Sequence, residues 1–453
     1  MGRSKRADCA LERGVRLKPD PQLRNEVTEL LQGLLRINTV NPPANETVAA
    51  EHLRDYLAHS GIECELFARE SHRANLVARI PGGDGPSLAF LSHTDTVLAD
   101  PAEWDRDPWS GDLVDDEVWG RGALDMKGQV AASAVAFASL LREGFVPSGD
   151  LVLVVVADEE VGGVGGDDGY GLRWLVKAHP EAARCDYAVN EGAGDRLVLG
   201  GKPVYLCATA EKMSAPFKLR VHGRSGHASM PGIADNALVK AARYVEALGA
   251  YEPTPELIPE ARGFLEAVLG ETPPVEEALV RAHALDPTLP ALVQPLLALT
   301  LSPTMIDASH QVNVIPALCE VTVDCRLLPE QTPADAELLI RAALGDGDYE
   351  LEWISASGGT RSALETPLWD AIESFTSGIE PGARLAPIAC PGFTDSHYLR
   401  EAYGTVAYGF FPIKEMDAVD ATKLVHSANE RIAVNDLELG VEMLRATARA
   451  VLS

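Results

Sequence analysis

The stretch Ser87-Leu88-Ala89-Phe90-Leu91-Ser92-His93-Thr94-Asp95-Thr96-Val97 sets the reading of the whole chain. Its first half is an apolar run, as expected of a strand covered on both faces. Its second half puts an imidazole and a carboxylate two positions apart, where that strand would end. Residues i and i+2 of a strand project from one face, so His93 and Asp95 meet side by side. A ligating imidazole needs such a neighbour, because a carboxylate on its second nitrogen fixes tautomer and ring orientation. The pair alone is a weak signal for a metal. Its weight depends on whether other strands end in the same chemistry.

They do. The Val/Leu run at 151–157 ends in Asp158-Glu159-Glu160-Val161-Gly162-Gly163, and a strand at 186–189 ends in Asn190-Glu191-Gly192. Gly120-Arg121-Gly122-Ala123-Leu124-Asp125-Met126-Lys127-Gly128 sets Asp125 in a glycine-flanked loop ahead of a small-residue helix at 128–143. Leu424-Val425-His426-Ser427-Ala428-Asn429-Glu430 offers another histidine just before the last helix, 434–452. Ligands of an open α/β sheet gather outside the carboxyl ends of its strands. The sites that follow strands therefore converge by topology.

Helices are expected at 21–37, on the stripe Leu23, Val27, Leu30, Leu31 and Leu34, and at 46–59, with Asn41-Pro42-Pro43 breaking the chain between them. Apolar strands at 75–80, 87–91, 151–157 and 186–189 interleave with helices at 128–143 and 171–178. That alternation predicts an α/β fold with a sheet covered on both faces by helices. The character changes near Glu211. A half-wet strand at 215–222, a helix at 235–249, strands at 301–306 and 317–326, a helix at 333–344 and a strand at 349–356 read as an open-faced α+β sandwich. This second domain, 211–356, is inserted into a first composed of 1–210 and 357–453. The Pro-rich segment 251–295 is taken as a helical insertion decorating the sandwich.

A chain of 453 residues is too long for one compact core. Its 39 Lys+Arg against 67 Asp+Glu give a net charge of −28, which argues against nucleic acid or an anionic membrane as partner, since both need a basic footprint. The 7 cysteines are dispersed, odd in number and form no CxxC, so buried thiols in a reducing compartment are expected, not disulfides. No apolar run approaches a membrane span, and residues 1–20 lack the apolar core of a secretory signal. The expectation is a cytoplasmic enzyme or binding protein.

Two histidines and several carboxylates suit zinc, and one carboxylate can bridge two ions. Of two adjacent glutamates after a strand, one can ligate and the other act as base. Each residue also has a plainer reading. Glu159-Glu160 could be a solvated loop, Asp125 a helix cap, His426 a structural histidine. Paired carboxylates could serve glycoside hydrolysis, which would leave the histidines unexplained. All the plain readings would have to hold at once.

Six ordered motifs carry a resemblance: SHTDTV (92–97), GRGALDMKG (120–128), DEEVGG (158–163), NEG (190–192), GRSGHAS (223–229) and LVHSANE (424–430). Together they resemble the co-catalytic zinc aminoacylase and carboxypeptidase family, which includes aminoacylase, acetylornithine deacetylase, succinyl-diaminopimelate desuccinylase and glutamate carboxypeptidase. The resemblance implies a mostly parallel sheet of the zinc-peptidase type, with the inserted sandwich serving as lid and dimerisation domain. It assigns His93 and Glu191 to one ion and Glu160 and His426 to the other, with Asp125 bridging. Asp95 would orient His93, and Glu159 would be the general base. His227 would reach across a homodimer to stabilise the oxyanion. Asn313, Arg326 and the loop around Gly392 would contact substrate, Arg326 being suited to a carboxylate. Read without the resemblance, His227 is a polar turn residue and Arg326 a strand-end charge. His397, beside that loop, reads as structural.

The implied cofactors are two divalent ions, zinc first, with cobalt or manganese acceptable to the same donors. The implied reaction is amide hydrolysis. Glutamate at 191 resembles the deacylases, where aspartate is commoner among the peptidases, and so points to N-acyl amino acids. Cleavage of short peptides by a carboxypeptidase or dipeptidase is the alternative. An inactive binding protein of the same fold is more remote, because every ligand and the base are present.

Overall fold

The computed structural model describes residues 20–161, 168–287, 289 and 293–453. The readings made on 1–19, Cys9 among them, and on Gly162 and Gly163 lie outside those residues.

Leu88–His93 is buried throughout because it runs through the middle of a nine-stranded sheet. It pairs in parallel with Leu151–Val156 on one side and Tyr187–Asn190 on the other. Beyond Leu151–Val156 lie Ala74–Ile80 and then Cys64–Ala68, both antiparallel. On the other flank follow Val406–Gly409, parallel to Tyr187–Asn190, then Lys202–Glu211 and Arg384–Cys390, which are parallel to each other. Helices cover both faces. Lys127–Arg142 packs between Pro21–Leu35 and Val434–Val451, and its Ala- and Ser-rich surface allows it to be buried almost throughout. Leu172–Ala178 and Ser396–Tyr403 cover the opposite face. Each fully buried Val or Leu contributes about 1.5–3 kcal/mol. The three central strands therefore form a stiff base for whatever follows their ends. The α/β reading is correct: a parallel centre, helices on both sides.

The second sheet shows the alternation of a sheet with one wet face. Phe217–His222 lies antiparallel between Leu318–Leu327 and Tyr349–Trp353, with Thr300–Asp307 beyond Leu318–Leu327. Ala237–Gly249 and Pro333–Leu344 cover its apolar side. The chain crosses between the sheets at Glu211–Met213 and again near Ser357–Gly358, which pairs with Met213–Ser214.

Two features depart from expectation. Lys202–Glu211 is a ten-residue strand that the periodicity did not reveal. Its signal was Gly200-Gly201, both left-handed, which turn the chain back from Arg196–Leu199 in a two-residue hairpin. The helix Pro259–Leu269, expected to decorate the sandwich, instead packs on Arg384–Cys390 and Lys202–Glu211 of the large sheet. Its Ala261, Phe264 and Leu265 are buried with Val204, Ala386 and Ala389. Gly263 permits the approach, since a Cβ there would lie 2.5 Å from Pro387 Cγ. The physical reason is that Arg384–Cys390 ends the sheet, and an apolar end strand needs a cover.

Candidate metal centre

His93 closes its strand and is buried. Its Nε2 lies 3.3 Å from Asp125 Oδ1 and 3.6 Å from Glu191 Oε1. His426 Nε2 lies 3.0 Å from Asp125 Oδ2 and 3.2 Å from Glu160 Oε2. Asp125 thus turns one oxygen to each histidine. The groups His93/Asp125/Glu191 and Asp125/Glu160/His426 share it, and within each the ligand atoms lie within 4.8 Å of one another. The sheet explains the convergence. His93, Glu160 and Glu191 end or follow three adjacent parallel strands, while Asp125 and His426 arrive on loops from outside it.

The loop before Asp125 needs a glycine at one point. Gly122 has φ +90°, and a Cβ on it would meet Thr96 Cγ2 at 2.8 Å.

Asp95 acts on two neighbours through different atoms. Its backbone carbonyl lies 3.0 Å from His93 Nδ1, closer than its carboxylate at 3.4 Å. That carboxylate accepts the amides of Glu159 at 3.1 Å and Glu160 at 3.2 Å, together with Asn41 Nδ2 at 2.9 Å. Asn41 also donates to Asp158 Oδ1 at 2.9 Å. Arg73 reaches the same Asp158 oxygen at 2.9 Å while holding Glu46 in a two-pronged pair at 2.7 and 2.8 Å. Asp158 sits at φ +64°, an uncommon conformation for a residue other than glycine, and this ionic net holds it there. The sequence had shown Asn41 only as a helix break.

Burial and charge together set the protonation of the site. Burial pushes Glu159 well above the usual carboxylate range; the charges of Glu191, Asp395 and Glu160 add to this, and His93 opposes it. Burial likewise raises Glu191 to about 7. His426 is raised to about 10 by its hydrogen bonds to Asp125 and Glu160. Burial pulls His93 down, but Glu191, Asp125 and Asp95 outweigh it and leave the imidazole well above its ordinary value. Both histidines therefore hold protons where cations could stand. Glu160 Oε1 is buried without a hydrogen-bond partner. An orphaned carboxylate oxygen among two imidazoles and two further carboxylates fits a divalent-cation site. Asp395, buried beside the cluster and raised by burial and by Glu191, is a facing acid that no spacing argument singled out.

The remaining expected residues lie elsewhere. His227 is exposed on the short pair Gly226–His227 and Val314–Ile315, where Ala228 N donates to the Asn313 carbonyl at 2.9 Å. Arg326 is paired to Asp324 through Nε and Nη2 at 3.0 Å each. Among the described residues, no hydrogen bond or ion pair joins His227, Asn313 or Arg326 to the ligand group. Gly392 has open space around it, with nothing within 4 Å of an added Cβ. Its loop is fastened beside Glu191 by Thr394, which donates to Glu211 at 2.7 Å and accepts from Asn190 at 3.1 Å. His397 is buried with Nδ1 2.6 Å from the Thr394 carbonyl, and burial lowers it to about 4. It has the contacts of a structural histidine.

The described cysteines Cys64, Cys185, Cys207, Cys319, Cys325 and Cys390 are free thiols. No helix among the described residues is long and apolar enough to cross a membrane.

Comparison with known proteins places the chain in a family. A model of Peptidase family M20/M25/M40 matches residues 89–450. The N-fatty-acyl-amino acid synthase/hydrolase PM20D1 of Xenopus tropicalis is 27% identical over 92% of this chain and 84% of its own. The succinyl-diaminopimelate desuccinylase of Rhodospirillum centenum is 28% identical over 93% of this chain and 94% of its own. Among solved structures, the M20 family metallo-carboxypeptidase Sso-CP2 of Sulfolobus solfataricus superposes with a TM-score of 0.71 at 18% identity, covering 94% of this chain and 99% of that one.

Proposed function

Because the chain belongs to peptidase family M20/M25/M40 and is a hydrolase of amide bonds, we propose that it cleaves N-acyl amino acids into a carboxylic acid and a free amino acid. The observation that carries this reading is Asp125, shared between two histidine–carboxylate groups with Glu159 beside them. His93, Asp125 and Glu191 would hold one divalent ion, and Asp125, Glu160 and His426 a second. The donor set suits zinc and also accepts cobalt or manganese. Bound ions polarise the amide carbonyl and acidify water. Glu159 takes a proton from the attacking water and hands it to the departing nitrogen as the C–N bond breaks. Asp95 aims that step by holding the Glu159 amide.

The substrate's oxyanion and carboxylate fall to residues of the sandwich. Ser229 N donates to His227 Nδ1 at 3.2 Å, so the proton of the ring sits on Nε2, free to donate to an oxyanion. His227 would serve the site of a second copy, in a homodimer joined through the sandwich. Its edge strand Thr300–Asp307 exposes Met305 and Ile306, and its helix Ala237–Gly249 exposes Leu238 and Val239, an apolar surface suited to such a contact. Asp324 braces Arg326; Arg326 would bind the carboxylate of the amino acid through Nη1, with Asn313 and the Gly392 loop as further substrate contacts. Glu191 in place of aspartate favours acyl groups over peptides. Free thiols suit a cytoplasmic enzyme.

The test is product release from the zinc-loaded chain on a panel of N-acyl amino acids and dipeptides. The expected result is a kcat/KM for the best acyl amino acid at least about tenfold above the best dipeptide, that is, about 1.4 kcal/mol of transition-state preference. Preference for dipeptides would make the chain a dipeptidase. No turnover of either would refute the proposal.

A further inference from the structure

Glu430 closes the LVHSANE motif, and nothing in the reaction described so far uses it. Its carboxylate is fully buried and accepts four hydrogen bonds. Oε2 takes Arg121 Nη1 at 2.6 Å and Gly122 N at 2.9 Å, and Oε1 takes Leu124 N at 2.8 Å and Asp125 N at 3.0 Å. Its own carbonyl accepts Gly120 N at 3.0 Å. All of these partners donate, so the group works as an acceptor with both oxygens occupied. Glu430 is itself fixed by the next strand, Arg431–Ala433, which pairs with Glu117–Trp119 just before the Asp125 loop. The chain that carries His426 is thus bonded to the loop that carries Asp125.

We propose that Glu430 is the positioning residue that couples the two halves of the metal centre. It sets the backbone at Asp125, whose two oxygens face different histidines, so that one displacement would disturb both groups. This rests on reading those groups as ligands. The same carboxylate keeps the Asp125 loop in register with His426, four residues before it in the chain. Substitutions just outside a ligand shell cost metal affinity about 10–100-fold. A carboxylate that sets the shared ligand should impose that cost at both sites together.

The experiment is zinc titration of the chelator-stripped full chain by calorimetry, with circular dichroism as the control on folding. In Glu430→Gln an amide NH2 replaces one acceptor and faces donors. The expected result is a native dichroism spectrum with both zinc affinities at least about tenfold weaker. With cobalt in place of zinc, the visible absorption of both ions should change. If Glu430→Gln does not fold, Glu430→Asp keeps the charge but draws back by one methylene, and it should show the same paired loss. Ile432→Ala, at a buried residue of the strand that follows Glu430, should lower the melting temperature and leave zinc affinity intact. Wild-type affinity and cobalt spectra in the Glu430 variants, loss at one site only, or equal zinc loss in Ile432→Ala would each overturn the proposal. If the wild-type chain binds no zinc, the ligand reading itself fails.

Discussion

At the scale of single residues, catalytic and orienting roles separate by which atom touches what. Glu159 has acids around it and no place among the two ligand groups, so Glu159→Ala should lower kcat by about 10²–10⁴-fold while bound zinc stays near wild type. Turnover at the wild-type rate would assign the proton to another group. Asp95 is subtler. Its carbonyl holds the His93 ring, and its carboxylate holds the Glu159 and Glu160 amides. Asp95→Asn keeps the carbonyl but gives up one of the two acceptor oxygens. The expected outcome is a fall in kcat larger than the fall in zinc affinity, read by steady-state kinetics beside metal titration. Equal losses would mean that the carboxylate sets the ligands, through His93 or the Glu160 amide, as much as it sets the base. His93, Glu160 and Glu191 were legible in the sequence because they stand at strand ends, where topology alone brings them together. Asn41 and Glu430 were not, because each acts by hydrogen bonding to a loop far away in the chain, and such a bond leaves no periodic trace.

At the scale of elements, apolar runs revealed the parallel centre, and alternation revealed the half-wet sandwich. Both signals depend on which faces are buried. The helix Pro259–Leu269 shows where that logic stops: its apolar stripe announces a buried face but not the surface it meets. The sequence context suggested the sandwich. The structure places the stripe on the end strand Arg384–Cys390, so the helix belongs energetically to the large sheet. Phe264, buried at that contact, should therefore matter to the fold that holds the metal ligands. Phe264→Ala should destabilise the chain by about 3–5 kcal/mol in urea unfolding. A loss below about 1 kcal/mol would mark the helix as a dispensable ornament, as surface changes usually are.

At the scale of the molecule, the net charge of −28 argued against nucleic acid or an anionic membrane as partner but did not show how the acids are used. Burying several of them around two histidines makes proton and cation compete for one place. In the metal-free chain Glu191 is raised from 4.5 to about 7 and His426 from 6.5 to about 10. The folded state thus binds these protons more tightly than the unfolded state. Their stabilisation is present at low pH and is lost as pH rises through each folded value. Zinc needs the same groups deprotonated, so its apparent affinity strengthens as pH rises, by about tenfold per unit for each proton displaced. Lys127, lowered to about 7, and Lys212, lowered to about 8, both by burial, push stability the other way, rising with pH. Neither is a ligand, so their contribution is common to the loaded and stripped chains and cancels between them. The informative quantity is therefore the melting temperature with excess zinc minus that with chelator. It should widen steadily between about pH 6 and 8.5, because ligand stabilisation grows with the ratio of free zinc to its dissociation constant. A difference that narrows over that range would show that His426 and Glu191 do not give up protons to the metal, and the shared site around Asp125 would need another occupant.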